Sequence, residues 1–405
     1  MAEVHRLVES VARASYGRLV SYLSARSRDV AAAEDALSEA FVAALRAWPR
    51  DGVPDKPEAW LLAAARRRLI DAARRQRTRA AGAEELARVF DGAERATEQR
   101  DFPDERLKLL FVCAHPAIDP RVHTPLMLQV VLGLDAQTIA GAFLASPASM
   151  GQRLTRAKVK IRDAGILFEV PSGAELPQRL FAVLEAIYAA YGSGWDDVDG
   201  VDPRRRGLTE EALWLARTLV ELMPDEPEAR GLLALLLHCE ARRPARRNAA
   251  GEYVPITEQD TTLWAVDMID EAERLLAQAA ERRALGRFQL EAAVQSAHVE
   301  RVRGGTVDWD AISLLYEGLV RLAPTLGALV GRAAATAEAR GPAAGLALLD
   351  AIGEQEAKLY QPYWAVRAHL LDLAGRPAEA RVCLERALGL TEDEVVRRFL
   401  EGRLV

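Results

Sequence analysis

The sequence predicts an all-α protein built from several helical domains. Its 405 residues are enough for two or three domains that each bury a hydrophobic core. Half of the residues are hydrophobic, and alanine, leucine, arginine and glutamate, which all favour helices, dominate the composition. Apolar residues recur three or four positions apart, which is the spacing of one helix face and not of a strand.

The composition argues against several classes of protein. No apolar run is as long as a bilayer requires, and the first ten residues are charged and lack the apolar stretch of a signal peptide. Three cysteines occur, Cys113, Cys239 and Cys383, which are far apart and odd in number. This usage argues against a disulfide framework and favours a reducing compartment. We therefore expect a cytoplasmic protein without a membrane partner.

The net charge of −6 is unevenly distributed along the chain. Residues 1–165 hold 26 lysines and arginines against 21 acids, a net of +5, whereas the remainder holds 27 against 38, a net of −11. A basic half joined to an acidic half indicates a polyanionic partner for the basic side.

The first predicted domain, residues 1–79, ends in two consecutive helices. The segment Asp29 to Trp48 carries one apolar face with acids beside it. A turn rich in proline, glycine and aspartate follows, after which Asp55 and Glu58 have the spacing of a capping box. The helix that they open ends in a cationic stretch, Arg66 to Arg79, with seven arginines and one acid.

A linker and a second small domain are predicted next. Residues 80–105 hold eight acids against three bases and lack a firm apolar period, which indicates a flexible linker. In residues 106–170 three short helices are predicted; Asp135 caps the second, and Ser146-Pro147 starts the third. Two short helices joined by a tight turn, the last one basic, predict a helix-turn-helix that enters the major groove of DNA.

Residues 171–405 predict pairs of helices separated by proline and glycine. The segment Ala374 to Ala378 resembles Arg340 to Ala344, and the step from Gly341 to Gly375 is 34 residues, the period of tetratricopeptide (TPR) repeats. A TPR-like stack offers a concave surface to a peptide or protein partner. Because this domain is acidic and the preceding half is basic, we expect the two to associate and the repeat domain to regulate the other.

Three segments resemble, in order, regions of the extracytoplasmic-function (ECF) sigma factors of bacterial RNA polymerase. Residues 29–48 (DVAAAEDALSEAFVAALRAW) resemble region 2.2, residues 57–78 (PEAWLLAAARRRLIDAARRQRT) resemble regions 2.3 and 2.4, and residues 123–162 resemble region 4. Residues 238–260 and the terminal RRFLEGRL resemble the long C-terminal extension of one group within that family.

The resemblance implies contacts with the polymerase core and with promoter DNA. Region 2.2 would bind the β′ clamp helices, and the β flap is the second expected core contact. The implied core-binding residues are Asp35, Leu37, Glu39, Phe41 and Leu45. The −10 element would be held by Arg66, Arg67, Arg68, Arg74 and Arg75. The −35 element would be contacted by Ser149, Gln152, Arg153, Arg156 and Lys160. Arg67 stands where many family members have asparagine.

Other interpretations exist for several of these residues. The arginine-rich stretch also suits an exposed helix end. Cys113, His115 and His123 match no strong zinc signature, so we expect packed side chains and no metal or cofactor. Residues 241–248 (ARRPARRN) have acidic surroundings, which favours an internal salt-bridge cluster or a partner site over a nucleic-acid patch. No phosphate-cradling glycine loop or nucleophile motif occurs, which argues against an enzyme.

Two other functions fit part of the pattern. One is a helix-turn-helix transcription regulator whose TPR-like domain binds a partner and which has no affinity for core polymerase. The other is a structural helical scaffold. The pair of segments at residues 29–48 and 57–78 favours the sigma factor, because a plain regulator has no need of it.

Overall fold

The computed structural model describes residues 2–75, 104–143, 145–195, 208–391 and 393–403. Within these ranges the chain folds into helices without a β-sheet, so the predicted all-α fold is confirmed. The helices belong to two compact units, Met1–Leu215 and Ala216–Val405, called here the N-terminal and C-terminal units. Most of the predicted linker lies outside the described residues.

The helices of the N-terminal unit are α1 (Ala2–Ser27), α2 (Val30–Asp51), α3 (Pro57–Arg75), α4 (Arg106–Cys113), α5 (Pro120–Val130), α6 (Ala136–Ala142), α7 (Pro147–Asp163) and α8 (Leu176–Trp195). Helix α9 (Leu208–Leu222) contains the division between the units. The C-terminal unit continues with α10 (Pro227–Ala241), α11 (Val266–Glu281), α12 (Arg287–Val299), α13 (Trp309–Leu322), α14 (Leu326–Arg340), α15 (Pro342–Ile352), α16 (Gln361–Leu373), α17 (Pro377–Gly389) and α18 (Glu394–Glu401).

Local capping starts the two helices of the predicted helix-turn-helix. The Asp135 carboxylate accepts hydrogen bonds from the first backbone N–H groups of α6 at 2.8 Å. The Ser146 hydroxyl accepts from the N–H of Ser149 at 3.2 Å, and Pro147 is the first residue of α7. These side chains satisfy donors that a helix start leaves without intrahelical partners. Both predicted starts are therefore confirmed.

Helix α3 starts differently from the prediction. It begins at Pro57, and the carboxylate of Glu58 accepts a hydrogen bond from the hydroxyl of Ser15 on α1. The predicted capping box of Asp55 and Glu58 is therefore wrong, because a tertiary contact takes the carboxylate that the local motif would have used.

Helix α8 packs into the N-terminal unit. Thr124 on α5 donates a hydrogen bond from its hydroxyl to the carbonyl of Ala186 at 3.1 Å. The guanidinium of Arg179 donates to the carbonyl of Phe111 at 2.7 Å. The compact unit therefore extends past the boundary after residue 170 that the sequence predicts, and α8 completes the core around α4 and α5.

The C-terminal unit is a series of antiparallel helix pairs. Gly341 joins α14 to α15, and Gly375 lies between α16 and α17, and both glycines have positive φ angles, +92° and +72°. The 34-residue step in the sequence therefore relates two turns between consecutive helices, each with a positive-φ glycine. Tyr363 and Trp364, which are almost completely buried, fill the core between these pairs. None of the helices in the described ranges is both long and apolar enough to cross a membrane.

Candidate nucleic-acid interface

Helix α7 separates its apolar and basic side chains onto different faces. Its buried residues are Met150, Leu154, Ala157 and Ile161, which recur at helical spacing. Four of the residues that the sequence assigned to the −35 element are exposed: Gln152, Arg153, Arg156 and Lys160. The fifth, Ser149, is half-buried and gives its backbone N–H to the cap of the helix. One solvent-facing side of α7 is therefore polar and cationic.

Helix α3 buries Leu61, Ala65 and Leu69 and exposes part of its arginine-rich end. Arg67 and Arg68 are exposed, and Arg66 is half-buried. Arg74 and Arg75 belong to the last turn of α3, but their side chains lie outside what the structure describes.

Helix α2 carries the predicted polymerase-binding residues in three different environments. Asp35 and Glu39 are exposed, and Phe41 and Leu45 are half-buried. Leu37 has no exposed surface, so it packs the core and offers no atoms to a partner in this conformation. The carboxylate of Glu39 lies 3.1 Å from the guanidinium of Arg68. This ion pair joins one residue of the predicted polymerase site to one of the predicted −10 site.

The structure also joins α2 to α7, which the sequence did not predict. The ammonium of Lys158 on α7 lies 2.5 Å from the carboxylate of Glu34 on α2, and their side chains are only 12% and 11% exposed. Arg162, one turn further along α7, lies 3.9 Å from Asp29, which caps α2. A shielded ion pair therefore lies between the helix predicted to bind polymerase and the helix predicted to read DNA.

Burial governs the protonation of the groups around this ion pair. It raises the pKa of the Glu34 carboxyl above its ordinary value, while the neighbouring Lys158 opposes that rise. Tyr16 on α1 donates a hydrogen bond to Glu34 at 3.4 Å, and burial raises the pKa of its phenol as well. The carboxylate is thus held by a cation and a hydroxyl from two different helices.

Two glycine contacts show how closely α1 approaches the end of α5. A Cβ on Gly17 would lie 2.1 Å from the carbonyl oxygen of Val131. A Cβ on Gly133, whose φ is +76°, would lie 2.9 Å from the ring of Tyr16. Neither position has room for a larger residue in this packing. The predicted region 2 and region 4 helices are therefore in close backbone contact.

The cysteine and two histidines that were considered as metal ligands have local contacts. His115 accepts a hydrogen bond from the N–H of Ala117, and His123 places Nε2 3.1 Å from the carbonyl of Ile118. Cys113 is fully buried, and burial raises the pKa of its thiol. These contacts explain the three residues as packed side chains with local hydrogen bonds.

The run ARRPARRN contributes to internal contacts of the C-terminal unit. The guanidinium of Arg242 donates to the side-chain oxygen of Gln295 at 2.7 Å, and Arg243 lies 3.3 Å from Glu240. These contacts favour the interpretation as an internal polar cluster.

The sequence contained a signal for the missed ion pair. On α2, Glu34 lies four residues after Val30 and three before Leu37, within the apolar stripe of that helix. On α7, Lys158 lies four residues after Leu154, beside the apolar stripe of that helix. A charge within an apolar stripe is expected to be buried and paired. The partner, 124 residues away, could not be read from the spacing.

Comparison with known proteins finds two family regions in the chain and one relative along nearly its whole length. Residues 6–79 match the sigma-70 region 2 family, and residues 179–280 match a family of unknown function, DUF6596. The chain is 39% identical over 393 residues to an uncharacterized protein of Rhizobium meliloti (strain 1021). The aligned residues make up 96% of this chain and 92% of that protein. The chain therefore carries a sigma-70 region 2 domain at its N-terminus, and over nearly its full length it belongs to the same family as the Rhizobium meliloti protein. No solved structure matches this chain.

The family accounts for the N-terminal helices. The region 2 match covers α1, α2 and α3, which carry the predicted contacts with polymerase and the −10 element. Sigma-70 factors are transcription initiation factors, not enzymes, and their region 2 implies the RNA polymerase core and promoter DNA as partners. The second match begins in α8 and ends in α11, so it includes helices of both units.

Proposed function

We propose that this chain is a sigma-70 factor of the ECF group with a TPR-like extension and that it directs core polymerase to promoters with −10 and −35 elements. Region 2 would bind the β′ clamp helices through Asp35 and Glu39. The exposed arginines of α3 would hold the −10 element, and α7 would read the −35 element. Such a factor acts where the polymerase does, in the cytoplasm.

The observation that carries the proposal is the arrangement of α7. Its cap and first turn follow the helix-turn-helix pattern, and its exposed side presents Gln152, Arg153 and Arg156 near the helix start. In such motifs the first turns contact base edges, and later cations, here Lys160, contact phosphates. Together with the region 2 match, this face supports the proposal of two DNA-binding elements.

Run-off transcription with purified core polymerase tests the proposal. The full chain should support promoter-specific transcripts, and the double variant Asp35→Arg, Glu39→Arg should lose affinity for the core. A matched control, Arg121→Glu, reverses a charge on the exposed start of α5 and should retain it. A wild-type chain that binds DNA but not the core would instead support a helix-turn-helix regulator.

We further propose that the C-terminal unit regulates the sigma half. The test compares the full chain with one that ends at Pro224, after α9. This endpoint keeps α8, which a cut near residue 171 would remove from the core around α4 and α5. A difference in promoter-directed transcription between the two chains is expected. Equal transcription, without binding between the separated halves at low salt, would make the C-terminal unit an independent module.

A further inference from the structure

We infer that the C-terminal unit binds an apolar molecule with a single carboxylate, such as a medium-chain fatty acid, in the groove between α16, α17 and α18. The predicted polymerase and DNA contacts all lie in the N-terminal unit, so this is a separate site. Its ligand also differs from the peptide or protein partner that the TPR-like pattern predicts. The inference is independent of the proposed function, because binding is measured without polymerase or promoter.

The groove has the size and the apolar lining of a small-molecule site. Its volume is about 670 Å³, within the usual range for such sites. Small side chains on α16 and α17 leave this space between the two helices, and α18 contributes larger ones. The apolar part of the lining includes Ala365, Ala368, Ala378, Leu384, Phe399 and Leu400. An apolar ligand that leaves water for this lining gains about fourfold in affinity for each buried methylene.

Arg403 and His369 place two kinds of hydrogen-bond donor in the same groove. Nη1 of Arg403 lies 3.4 Å from Nδ1 of His369 on α16. Burial and the nearby Arg403 lower the pKa of His369, against the opposing charges of Glu338 and Asp372, so the ring is neutral at pH 7. Because arginine can only donate, Nδ1 accepts and the ring proton is on Nε2. A guanidinium and an imidazole N–H, side by side, suit one carboxylate.

The charges of the lining favour a ligand with one negative charge. Arg381 lies 3.3 Å from Glu385 on its own helix, whereas Arg403 forms no ion pair within the described ranges and covers the ring of Phe399 at 4.8 Å. Its guanidinium has five donors in a fork that matches a carboxylate, so it can hold one in addition to His369. Asp372 also lines the groove and repels a second negative charge, which disfavours a phosphate dianion.

Helix α18, the third wall of the groove, is held in position by contacts of its own. The Asp393 carboxylate caps its first turn and accepts a hydrogen bond from a backbone N–H at 2.7 Å. The ring of Phe399 packs edge-to-face against Tyr253, with 5.2 Å between the ring centroids. The groove is therefore preformed, and binding requires little ordering of the chain.

Titration calorimetry of the full chain with sodium decanoate tests the inference. One decanoate should bind per chain with a dissociation constant of about 1 mM or lower, the range expected for a ligand of this size. Octanoate, two methylenes shorter, should bind about tenfold more weakly. Decan-1-ol, which lacks the charge, should also lose about tenfold because it offers Arg403 no carboxylate. Decyl phosphate should bind more weakly than decanoate, since Asp372 repels its second charge.

Two charge variants test the recognition of the carboxylate. Arg403→Gln should weaken decanoate binding about tenfold, because a hydrogen bond to a charged group is lost. Arg398→Gln removes an exposed cation of α18 that does not line the groove and should leave the affinity unchanged. Asp372→Asn should strengthen decanoate binding about two- to threefold and should reduce the preference over decyl phosphate.

A second design blocks the groove without changing a charge. Ala378 is exposed and lines the groove, so Ala378→Trp should fill the space and abolish decanoate binding. Val382→Trp, on the same helix but outside the lining, is the matched control. Thermal unfolding without decanoate checks that both variants fold. Saturating decanoate should raise the melting temperature of the wild type and of Val382→Trp, but not that of Ala378→Trp.

Saturable binding of decanoate that depends on both Arg403 and an open groove supports the site. The inference is overturned if the wild type shows no saturable binding, or if Arg403→Gln and Ala378→Trp bind decanoate as the wild type does. It is also overturned if the peptide N-acetyl-Leu-Leu binds through Arg403 more tightly than decanoate, because the groove then recognises peptide carboxyl ends. A chain that binds decanoate but not core polymerase contradicts the proposed function alone.

Discussion

The arginines of α7 and the inward arginines of the C-terminal unit have different environments. On α7, Arg153 and Arg156 are exposed, and neither forms an ion pair within the part of the chain that the structure describes. In the C-terminal unit the guanidinium of Arg301 is directed inward, where it donates to the carbonyls of Ile256 and Gln259. Arg397 likewise donates to the carbonyl of Thr391 at 2.5 Å. Arg153 and Arg156 of α7 therefore face solvent, whereas Arg301 and Arg397 hold segments of the C-terminal unit together.

The difference explains why a count of positive charges does not identify a DNA-binding surface. ARRPARRN is as dense in arginine as the end of α3, yet Arg242 and Arg243 have partners within their own unit. A guanidinium that already bonds carbonyls or carboxylates has fewer donors left for phosphate. The environment of each arginine, and not its frequency, determines its function.

The largest effect is expected where an inward arginine is removed. Arg301→Ala leaves the carbonyls of Ile256 and the buried Gln259 without a charged donor, which should lower the free energy of unfolding of the C-terminal unit by about 3 kcal/mol. Chemical denaturation measures the loss. Arg303→Ala, two residues away and exposed, should cost less than about 0.5 kcal/mol. Similar losses in both variants would contradict the inward role of Arg301.

An outward arginine should show the opposite behaviour. Arg153→Ala should weaken binding of the holoenzyme to its promoter by about 1–3 kcal/mol and relax the −35 preference, because a base contact is lost. The free energy of unfolding of this variant should equal that of the wild type, since the Arg153 side chain is exposed. Binding to matched and mismatched promoters measures the change. An equal loss on both would reassign Arg153 to a phosphate contact, and a lower melting temperature would remove the contrast with Arg301.

The inward arginines also predict a pH dependence. Burial and the nearby Arg242 and Arg301 lower the pKa of His298 to about 4, so the folded chain binds its proton later than the unfolded chain as pH falls. Stability is therefore present above the unfolded pKa and is lost as pH decreases toward 4. Between pH 7 and pH 5 the loss should be about 1–2 kcal/mol.

The His298→Phe variant isolates this contribution. Phenylalanine can keep the edge-to-face contact with Trp309, whose ring lies 5.5 Å from that of His298, but it does not titrate. Denaturation of the C-terminal unit at pH 7 and pH 5 should show a smaller change in the variant than in the wild type. The same change in both would assign the pH dependence to other groups.

The smallest effect concerns the open side of α7. A Cβ on Gly151 would meet no atom within 4 Å, so Gly151→Ala should stabilise the N-terminal unit by about 0.5–1 kcal/mol through helix propensity alone. In α10 of the C-terminal unit, a Cβ on Gly231 would lie 2.7 Å from the backbone nitrogen of Gln289. Gly231→Ala should therefore destabilise. Thermal unfolding compares the two, and a loss of stability at Gly151 would mean that this side of α7 is packed.

Local features of the chain were determined by the sequence alone. The caps at Asp135 and Ser146, the polar side of α7 and the turns at Gly341 and Gly375 all depend on residues within a few positions of one another. Hydrogen bonds of helix starts and the 3.6-residue period act over that distance, so a single sequence contains their causes. The two region 2 segments were equally readable, since residues 6–79 match the sigma-70 region 2 family.

Only the tertiary structure decided which side chains meet across the fold. Glu34 pairs with Lys158 across 124 positions, and Glu58 binds Ser15 instead of capping its own helix. Leu37 is fully buried, although Asp35 and Glu39, predicted for the same polymerase contact, are exposed. Helix α8, assigned by pattern to the repeat domain, packs around α4 and α5. Such pairings depend on which surfaces bury each other, and burial changes the free energy of a charge far more than its place in a helix period does.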